Sequence, residues 1–346
     1  VFLIPVIGGF LVYRYLVRLH HKSPTLKPTA SRSEKTPFGL FLGASTGKLS
    51  ELGHGAAVRR GQLITVSLED AAQNILVLGG IGSGKTTRAV QPLLLQLLEQ
   101  DAGGLIFDIK GDFRNAVLSL AGETTREITV IGPNQSKMNL LSGLTPEVAA
   151  SFLRSAFLLN SKGTHDAFWM DTATELCRNA LGVLSFSPGR YSLSDLYGYL
   201  FDEGIREGIK EEVDGRSELL SDRDKRLLRS YQNYHDTIFR AFDDKVKTGV
   251  NATVAQVLAP FNHPDLIDAF CTDDESAPSM ERVLDGTIYL VDMPLSIWGL
   301  GGKVAYNFIK LRFFNVLQRR NVEASWNKER PVCFLCEECQ EIVSAN

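Results

Sequence analysis

The chain has 346 residues, of which 44% are hydrophobic and 22% are charged, a balance that supports a sizeable folded core and excludes an intrinsically disordered protein. The formal net charge of -3 conceals a basic N-terminal segment, because residues 1–60 hold nine Lys and Arg against two acids. The five cysteines are too scattered for a disulfide framework in a chain of this length, which favours a reducing compartment.

The first predicted element is an apolar run of 17 residues, VFLIPVIGGFLVYRYLV. As a helix it extends about 25 Å, slightly short of a hydrocarbon core of about 30 Å, so we expect residues 1–20 to be the end of a transmembrane span in a fragment or processed product. Arg14, Arg18 and Lys22 at its carboxyl end mark the cytoplasmic side. A buried soluble helix is the alternative, and a signal peptide is disfavoured because its charges should precede the apolar segment.

A basic linker is predicted for residues 21–57, because KSPTLKPTASRSEKTP holds three prolines and almost no apolar residue. Residues 58–150 are predicted to be the first part of an α/β domain. Its pattern alternates as a strand from residue 62 to residue 68, and NILVLGG is typical of a strand buried on both faces. A helical stretch follows despite Pro92, and GGLIFDIKGD and ITVIGP predict two more strands.

Strand patterns disappear in residues 151–248, which are predicted to be an inserted all-α domain. Ser192 and Asp195 have the spacing of a capping box that opens one of its helices. Residues 249–346 are predicted to be the second part of the α/β domain, truncated after its last strand. They contain the buried strands TIYLVDMPL and VCFLCEE, separated by a long helical segment. Strands that alternate with helices around a helical block predict a parallel α/β sheet carrying a second domain.

A phosphate-binding loop is predicted at residues 79–86, where GGIGSGKT fits GxxxxGK[ST] between a predicted strand and a predicted helix. Glycines let backbone amides curl around phosphate oxygens. A chance glycine loop is the weaker alternative, because the motif and its strand–helix context agree. We expect Lys85 to neutralise the β and γ phosphates of ATP and Thr86 to complete a Mg²⁺ shell. The predicted cofactor-binding residues of this loop are Gly79, Gly80, Ile81, Gly82, Ser83, Gly84, Lys85, Thr86 and Thr87.

Two acids follow the last predicted strand, as in a Walker B strand. Glu337 takes the metal-side position, where most P-loop proteins have Asp, and Glu338 takes the position that activates water. The flanking cysteines suggest a zinc or iron–sulfur site as an alternative. Side chains alternate along a strand, however, so Cys333 and Cys336 point to opposite faces and cannot share one ion while the strand persists.

A second acidic motif, FDIKGD, ends the strand after the P-loop helix. Asp108, Lys110 and Asp112 are expected at the carboxyl edge of the sheet, where ligands bind in open α/β folds. Asp108 and Lys110 are therefore predicted to contact the cofactor. A solvated turn with Gly111 at its tip is the alternative.

Taken together, NILVLGGIGSGKTT, LIFDIKGD, AFWMDTATELC, TGVNATVAQVLAPFNHP and CFLCEECQE resemble the coupling proteins of type IV secretion and conjugation, the TraG/TraD kind. The resemblance runs from about residue 60 to the end. It implies an ATPase of the inner membrane with cytoplasmic domains, a RecA-like P-loop domain, an all-α domain and a homo-hexameric assembly. Lys85, Glu337 and Glu338 would be catalytic, with ATP and Mg²⁺ as cofactors. The implied partners are relaxase-bound DNA or effector proteins, and the proteins of the secretion channel.

The helical block carries mixed charges, with EGIKEEVD beside DRDKRLLR, which favours a solvated face over a nucleic-acid patch. Its role in cargo recognition therefore depends on the resemblance. Two rival functions stay open: a DNA pump of the FtsK or HerA type, and a receptor that binds nucleotide and cargo without hydrolysis, suggested by the Glu337–Glu338 pair.

Overall fold

The computed structural model of the protein describes residues 38–48, 59–80, 82–159, 167–273 and 278–342. The predicted transmembrane segment at residues 1–20 and most of the predicted linker at residues 21–57 lie outside these ranges, so both stay predictions. Within the described ranges, no helix combines the length and the apolar character needed to span a membrane.

A parallel sheet forms the centre of the fold, as the sequence predicts, and the described residues contribute four strands to it. Its strands are β3 (Gly103–Asp108), β4 (Ile128–Ile131), β5 (Ile288–Asp292) and β6 (Val332–Cys336), in the order β4-β5-β3-β6. All six residues of β3 are buried, which explains its unbroken apolar pattern. Because the strands are parallel, their carboxyl ends share one edge of the sheet.

The predicted strand NILVLGG is not formed. Residues 74–80 have no regular secondary structure, and the side chains of Leu76 and Leu78 are 73% and 80% exposed rather than buried. A strand needs a neighbour to pair its backbone amides, and the described residues provide none for this run. The apolar composition of the run is therefore insufficient to make it a strand.

Helices cover both faces of the sheet. A short helix, α1 (Leu68–Ala71), follows strand β2 (Leu63–Ser67). A π-helical turn (Thr86–Val90) leads into α2 (Gln91–Glu99), which has Pro92 at its first turn. Together with α3 (Arg114–Thr124), helix α2 buries an apolar cluster against one face of the sheet. On the other face, Tyr306 of the long helix α11 (Leu295–Arg319) packs on Phe107 of β3, with ring centroids 4.6 Å apart.

Between β4 and β5, the regular elements of the described residues are all helices. Ser192 caps one of these helices by accepting a hydrogen bond from the Asp195 amide at 3.1 Å, which confirms the capping box. The predicted boundary at residue 248 falls inside another of these helices. The α-helices of this segment are α4 (Pro146–Leu159), α5 (Ala167–Leu184), α6 (Leu193–Phe201), α7 (Glu203–Gly215), α8 (Asp222–Asn233), α9 (Asp244–Leu258) and α10 (Pro264–Phe270).

Shorter helical turns are also present in the described residues. A π-helical turn, Tyr234–Phe239, follows α8. The 3-10 turns are Ser217–Leu219, Ala259–Asn262, Met280–Asp285 and Cys339–Glu341.

A separate antiparallel hairpin, β1 (Gly39–Ala44) and β2 (Leu63–Ser67), is attached to the helix that follows the P-loop. The side-chain amide of Gln100 bonds both the amide (3.0 Å) and the carbonyl (2.9 Å) of Gly39. One helical turn earlier, Gln96 does the same for Phe41, at 2.6 and 3.1 Å. These two glutamines therefore satisfy backbone groups of β1 that β2 does not.

Candidate nucleotide-binding site

The predicted P-loop turns back on itself before the π-helical turn. Gly82 and Gly84 have φ angles of 73° and 83°, in the left-handed region that glycine tolerates best. Lys85 folds over the loop, and its Nζ donates to the carbonyl oxygens of Gly79 at 2.8 Å and Gly80 at 3.3 Å. The loop therefore holds an ammonium group at the amino end of a helix, the arrangement in which P-loops bind phosphate.

Three further predicted residues of the loop add little to this geometry. Ile81 lies outside the described residues, and Thr87 is exposed within the π-helical turn. Ser83 packs against Gly79, because a Cβ on that glycine would lie 2.6 Å from the Ser83 Oγ. A side chain at Gly79 would require Ser83 to rotate away from it.

The end of β6 meets the P-loop directly. Thr86 Oγ1 donates a hydrogen bond to Glu337 Oε1, although 251 residues separate the two. Hydroxyl and carboxylate oxygens are the ligands that Mg²⁺ prefers, and Mg²⁺ in nucleotide sites takes one or two protein ligands together with phosphates and waters. Thr86 and Glu337 therefore fit the predicted magnesium site. Within the described ranges, no three His, Cys, Asp or Glu side chains converge as a metal cluster.

The second acid, Glu338, turns the chain sharply at the same edge. It has a φ of 55°, unusual for a residue other than glycine, within the turn between β6 and the final 3-10 turn. Its two carboxylate oxygens accept hydrogen bonds from Lys110 Nζ and Gln340 Nε2. The Lys110 bond is the main reason that the pKa of Glu338 is held below its usual range, and the charge of Lys85 lowers this pKa further.

Asp108, a predicted cofactor contact, accepts hydrogen bonds from backbone amides of the turn after β3. Its carboxylate is buried and accepts hydrogen bonds from the amides of Gly111 (2.8 Å), Phe113 (3.1 Å) and Arg114 (2.8 Å). These bonds favour a structural role for Asp108 over the predicted contact with nucleotide. Lys110, also a predicted cofactor contact, instead pairs with Glu338.

An acid at the end of β5 was missed by sequence reasoning. Asp292 pairs in register with Asp108 and forms an ion pair with Arg114, at 3.2 Å between Nη1 and Oδ2. Burial raises the pKa of Asp292, partly offset by Arg114. Its sequence signal is the same as that of FDIKGD, an acid that ends an apolar strand.

The cysteines around the acids belong to β6 and to the turn after it. Cys333 and Cys336 both lie in this strand, as required by the argument that their side chains point to opposite faces of the sheet. Cys333 faces Gly104 of β3, where a Cβ would lie 2.6 Å from its Sγ. Burial raises the pKa of the Cys333 thiol to about 11 and that of Cys336 to about 12. Both are therefore protonated thiols at neutral pH.

A parallel sheet with a glycine loop, a loop lysine and paired acids at its carboxyl edge defines a P-loop α/β protein with an inserted helical segment. Residues 61–208 match the family model of the type IV secretion-system coupling protein DNA-binding domain. The resemblance to type IV secretion coupling proteins is therefore confirmed over these residues.

Solved structures of a bacterial conjugative coupling protein, TrwB, share the fold. A trigonal form in complex with sulphate is 14% identical, with a TM-score of 0.54, and the match covers 91% of this chain and 69% of that one. A complex with a non-hydrolysable ATP analogue is 15% identical, with a TM-score of 0.52, covering 91% and 68%. An unbound monoclinic form is 14% identical, with a TM-score of 0.51, covering 86% and 63%.

The chain thus spans 63–69% of the length of these three structures. At such identities the likeness shows the fold. None of the curated proteins compared with the chain matches it.

Proposed function

We propose that the protein is a membrane-anchored ATPase that couples ATP hydrolysis to the recruitment and translocation of DNA or effector proteins into a type IV secretion channel. The observation that carries this proposal is the contact between Thr86 and Glu337, which joins the P-loop to the end of β6. It brings together the two oxygen ligands that a Mg–ATP site requires. The coupling-protein match over residues 61–208 supports the same function.

Each residue at the carboxyl edge of the sheet would have a separate role in ATP hydrolysis. Bound Mg–ATP would supply the phosphoanhydride bond and the cation that neutralises its oxygens. Lys85 would exchange its carbonyl partners in the loop for the β and γ phosphates, a stronger partner for an ammonium group because it is charged. Glu337 and Thr86 would hold the metal. Glu338 would orient the attacking water and take up its proton.

A glutamate in the metal-side position fits this site. Thr86 and Glu337 are already in hydrogen-bond contact, so the longer side chain reaches the loop without displacement of β6. This contact supports Mg–nucleotide binding, which the rival receptor also requires, so measured turnover separates hydrolysis from a receptor that binds nucleotide without it.

The remaining parts of the proposal concern the whole protein. The description of the matched family names DNA binding, and the similar structures are conjugative coupling proteins, which favours DNA as cargo. The proposal also includes a RecA-like sheet and a homo-hexameric assembly. Its cargo would be relaxase-bound DNA or effectors, and it would contact the proteins of the channel. Residues 1–20 would anchor the protein in the inner membrane, with the soluble domains in the cytoplasm. The alternative enzyme, an FtsK- or HerA-type DNA pump, would need no relaxase.

The test is steady-state ATP hydrolysis by the full-length protein, with and without DNA and with relaxase added. We expect DNA-stimulated turnover that is lost in Lys85→Ala, because the phosphates lose their cation. Stimulation by DNA alone, unaffected by relaxase, would favour the DNA pump. ATP binding without any turnover would favour the receptor and contradict the proposal.

A further inference from the structure

Two neighbouring strands bring Lys110 and Glu338 together across 228 residues of sequence. β3 and β6 are parallel, and their register pairs Phe107 with Cys336. Lys110 follows Phe107 by three residues, and Glu338 follows Cys336 by two. Both therefore leave the sheet at its carboxyl edge, beside the P-loop.

The backbone on the lysine side is fixed by the turn after β3. Gly111 has a φ of 84°, and a Cβ there would lie 2.6 Å from Pro294 Cγ, so the turn requires glycine. The buried Asp108 carboxylate bonds the Gly111 amide at 2.8 Å, and the Leu295 amide donates to the Ile109 carbonyl at 3.0 Å. Lys110 thus projects from a backbone held on both sides.

The backbone on the acid side is fixed by the left-handed residue itself. Glu338 combines a φ of 55° with a carbonyl that accepts the Glu341 amide at 3.0 Å. A residue other than glycine in this conformation is a feature of functional sites, where the surrounding structure maintains the strain. Its side chain is directed back toward Lys110 and Gln340.

Among the described residues, Glu338 is the hydrogen-bond and ion-pair partner of Lys110, and Asp112 and Glu337 act on the lysine through their charge alone. The Glu338 side chain is 24% exposed, whereas that of Lys110 is 54% exposed. Lys110 is therefore the more exposed member of the pair, and its ammonium group holds the less exposed carboxylate.

We propose that Lys110 is a positioning residue for Glu338: it holds the carboxylate in the orientation that aligns the attacking water, and acts through this carboxylate rather than on the nucleotide. The inference depends on the proposed ATPase function. It replaces the prediction from sequence that Lys110 contacts the cofactor. A carboxylate restrained at both oxygens loses fewer conformations when it aligns water, which is how orientation contributes to rate.

The test compares full-length wild type with Lys110→Met and Lys110→Arg. We expect Lys110→Met to lower kcat about tenfold to a hundredfold, the range in which misplacement of a catalytic group acts. The dissociation constant for a non-hydrolysable ATP analogue should stay within about twofold. Lys110→Arg should recover most of the rate, because a guanidinium can still donate to the carboxylate.

A matched control is Lys137→Met. Lys137 forms a comparable ion pair with Asp268 in the segment after β4, the opposite edge strand of the described sheet. This variant should keep both kcat and analogue affinity. Thermal unfolding of all variants verifies that they fold.

A double-variant comparison separates positioning from direct catalysis. In a Glu338→Gln background, measured in single-turnover mode, Lys110→Met should change the residual rate by less than about twofold, because residues that act as one unit are non-additive. A full additional decrease would overturn the proposal, as would analogue binding weakened tenfold in Lys110→Met. Wild-type turnover with an unaffected Lys110→Met variant would overturn the positioning role alone. An inactive wild type would overturn the ATPase function together with it.

Discussion

Asp108 provides a direct test of the distinction between a structural acid and a nucleotide contact. Asp108→Ala removes a buried carboxylate that accepts three backbone amides, at 2.8, 3.1 and 2.8 Å. A hydrogen bond to a charged group contributes about 1.5–3 kcal/mol, but the exposed Gly111 amide regains water when its partner is lost. The amide of the buried Phe113 does not regain water as readily. We therefore expect the free energy of unfolding to decrease by about 2–4 kcal/mol.

The assay is urea denaturation followed by circular dichroism, with ATP-analogue affinity measured under native conditions. The matched control is Asp112→Ala, which removes an exposed acid from the same turn and should change stability by less than about 0.5 kcal/mol. The folded fraction of Asp108→Ala should bind the analogue with near wild-type affinity. Unchanged stability together with lost affinity would refute the structural role and restore the predicted nucleotide contact.

Three further perturbations test other parts of the structure. Glu337→Asp shortens the side chain that contacts Thr86, so the Mg²⁺ concentration for half-maximal turnover should rise about tenfold; an equal or lower requirement would contradict the site geometry. Replacing Gln96 and Gln100 by Ala should accelerate hydrogen exchange in β1 by the equivalent of about 1–2 kcal/mol, and unchanged protection would show that the glutamines do not hold the hairpin. Burial lowers the pKa of His235, so unfolding should become easier as pH falls through 6.5, and His235→Gln should lose that part of the pH dependence.

The sign of the His235 prediction follows from proton linkage. Its folded pKa lies below the unfolded value of 6.5, so the unfolded chain takes up the proton first as pH falls. The stability contribution is therefore present above this range and lost below it. Asp236, which contacts the ring, opposes the lowering of the His235 pKa, whereas the charges of Arg206 and Lys210 add to it.

Elements with strong local patterns could be predicted from sequence. The β3 run is buried at every position, and the Ser192 cap requires only residues three apart. The apolar run at residues 74–80 has an equally strong pattern but forms no strand in the described structure. Whether an apolar segment pairs depends on a neighbour, and a local pattern contains no information about that neighbour.

In the candidate site, too, some residues could be located from sequence and some contacts could not. Lys85, Thr86 and Glu337 could be located from their motifs, and their side chains lie at one edge. The partners of Lys110 and Asp108 could not be predicted from the motifs, because they depend on strand register and on backbone angles that the motifs do not fix. Glu338 is the plainest case: nothing in a run of two glutamates indicates a left-handed residue.

The most direct test of the account is a parallel measurement of ATP binding and ATP hydrolysis by the full-length protein and its Glu338→Gln variant. If Glu338 orients the attacking water, the variant should bind ATP as tightly as wild type while its turnover falls by about 10²-fold or more. Equal turnover in the two proteins would contradict the assignment of Glu338, and with it the proposal that the end of β6 and the P-loop form a hydrolytic site.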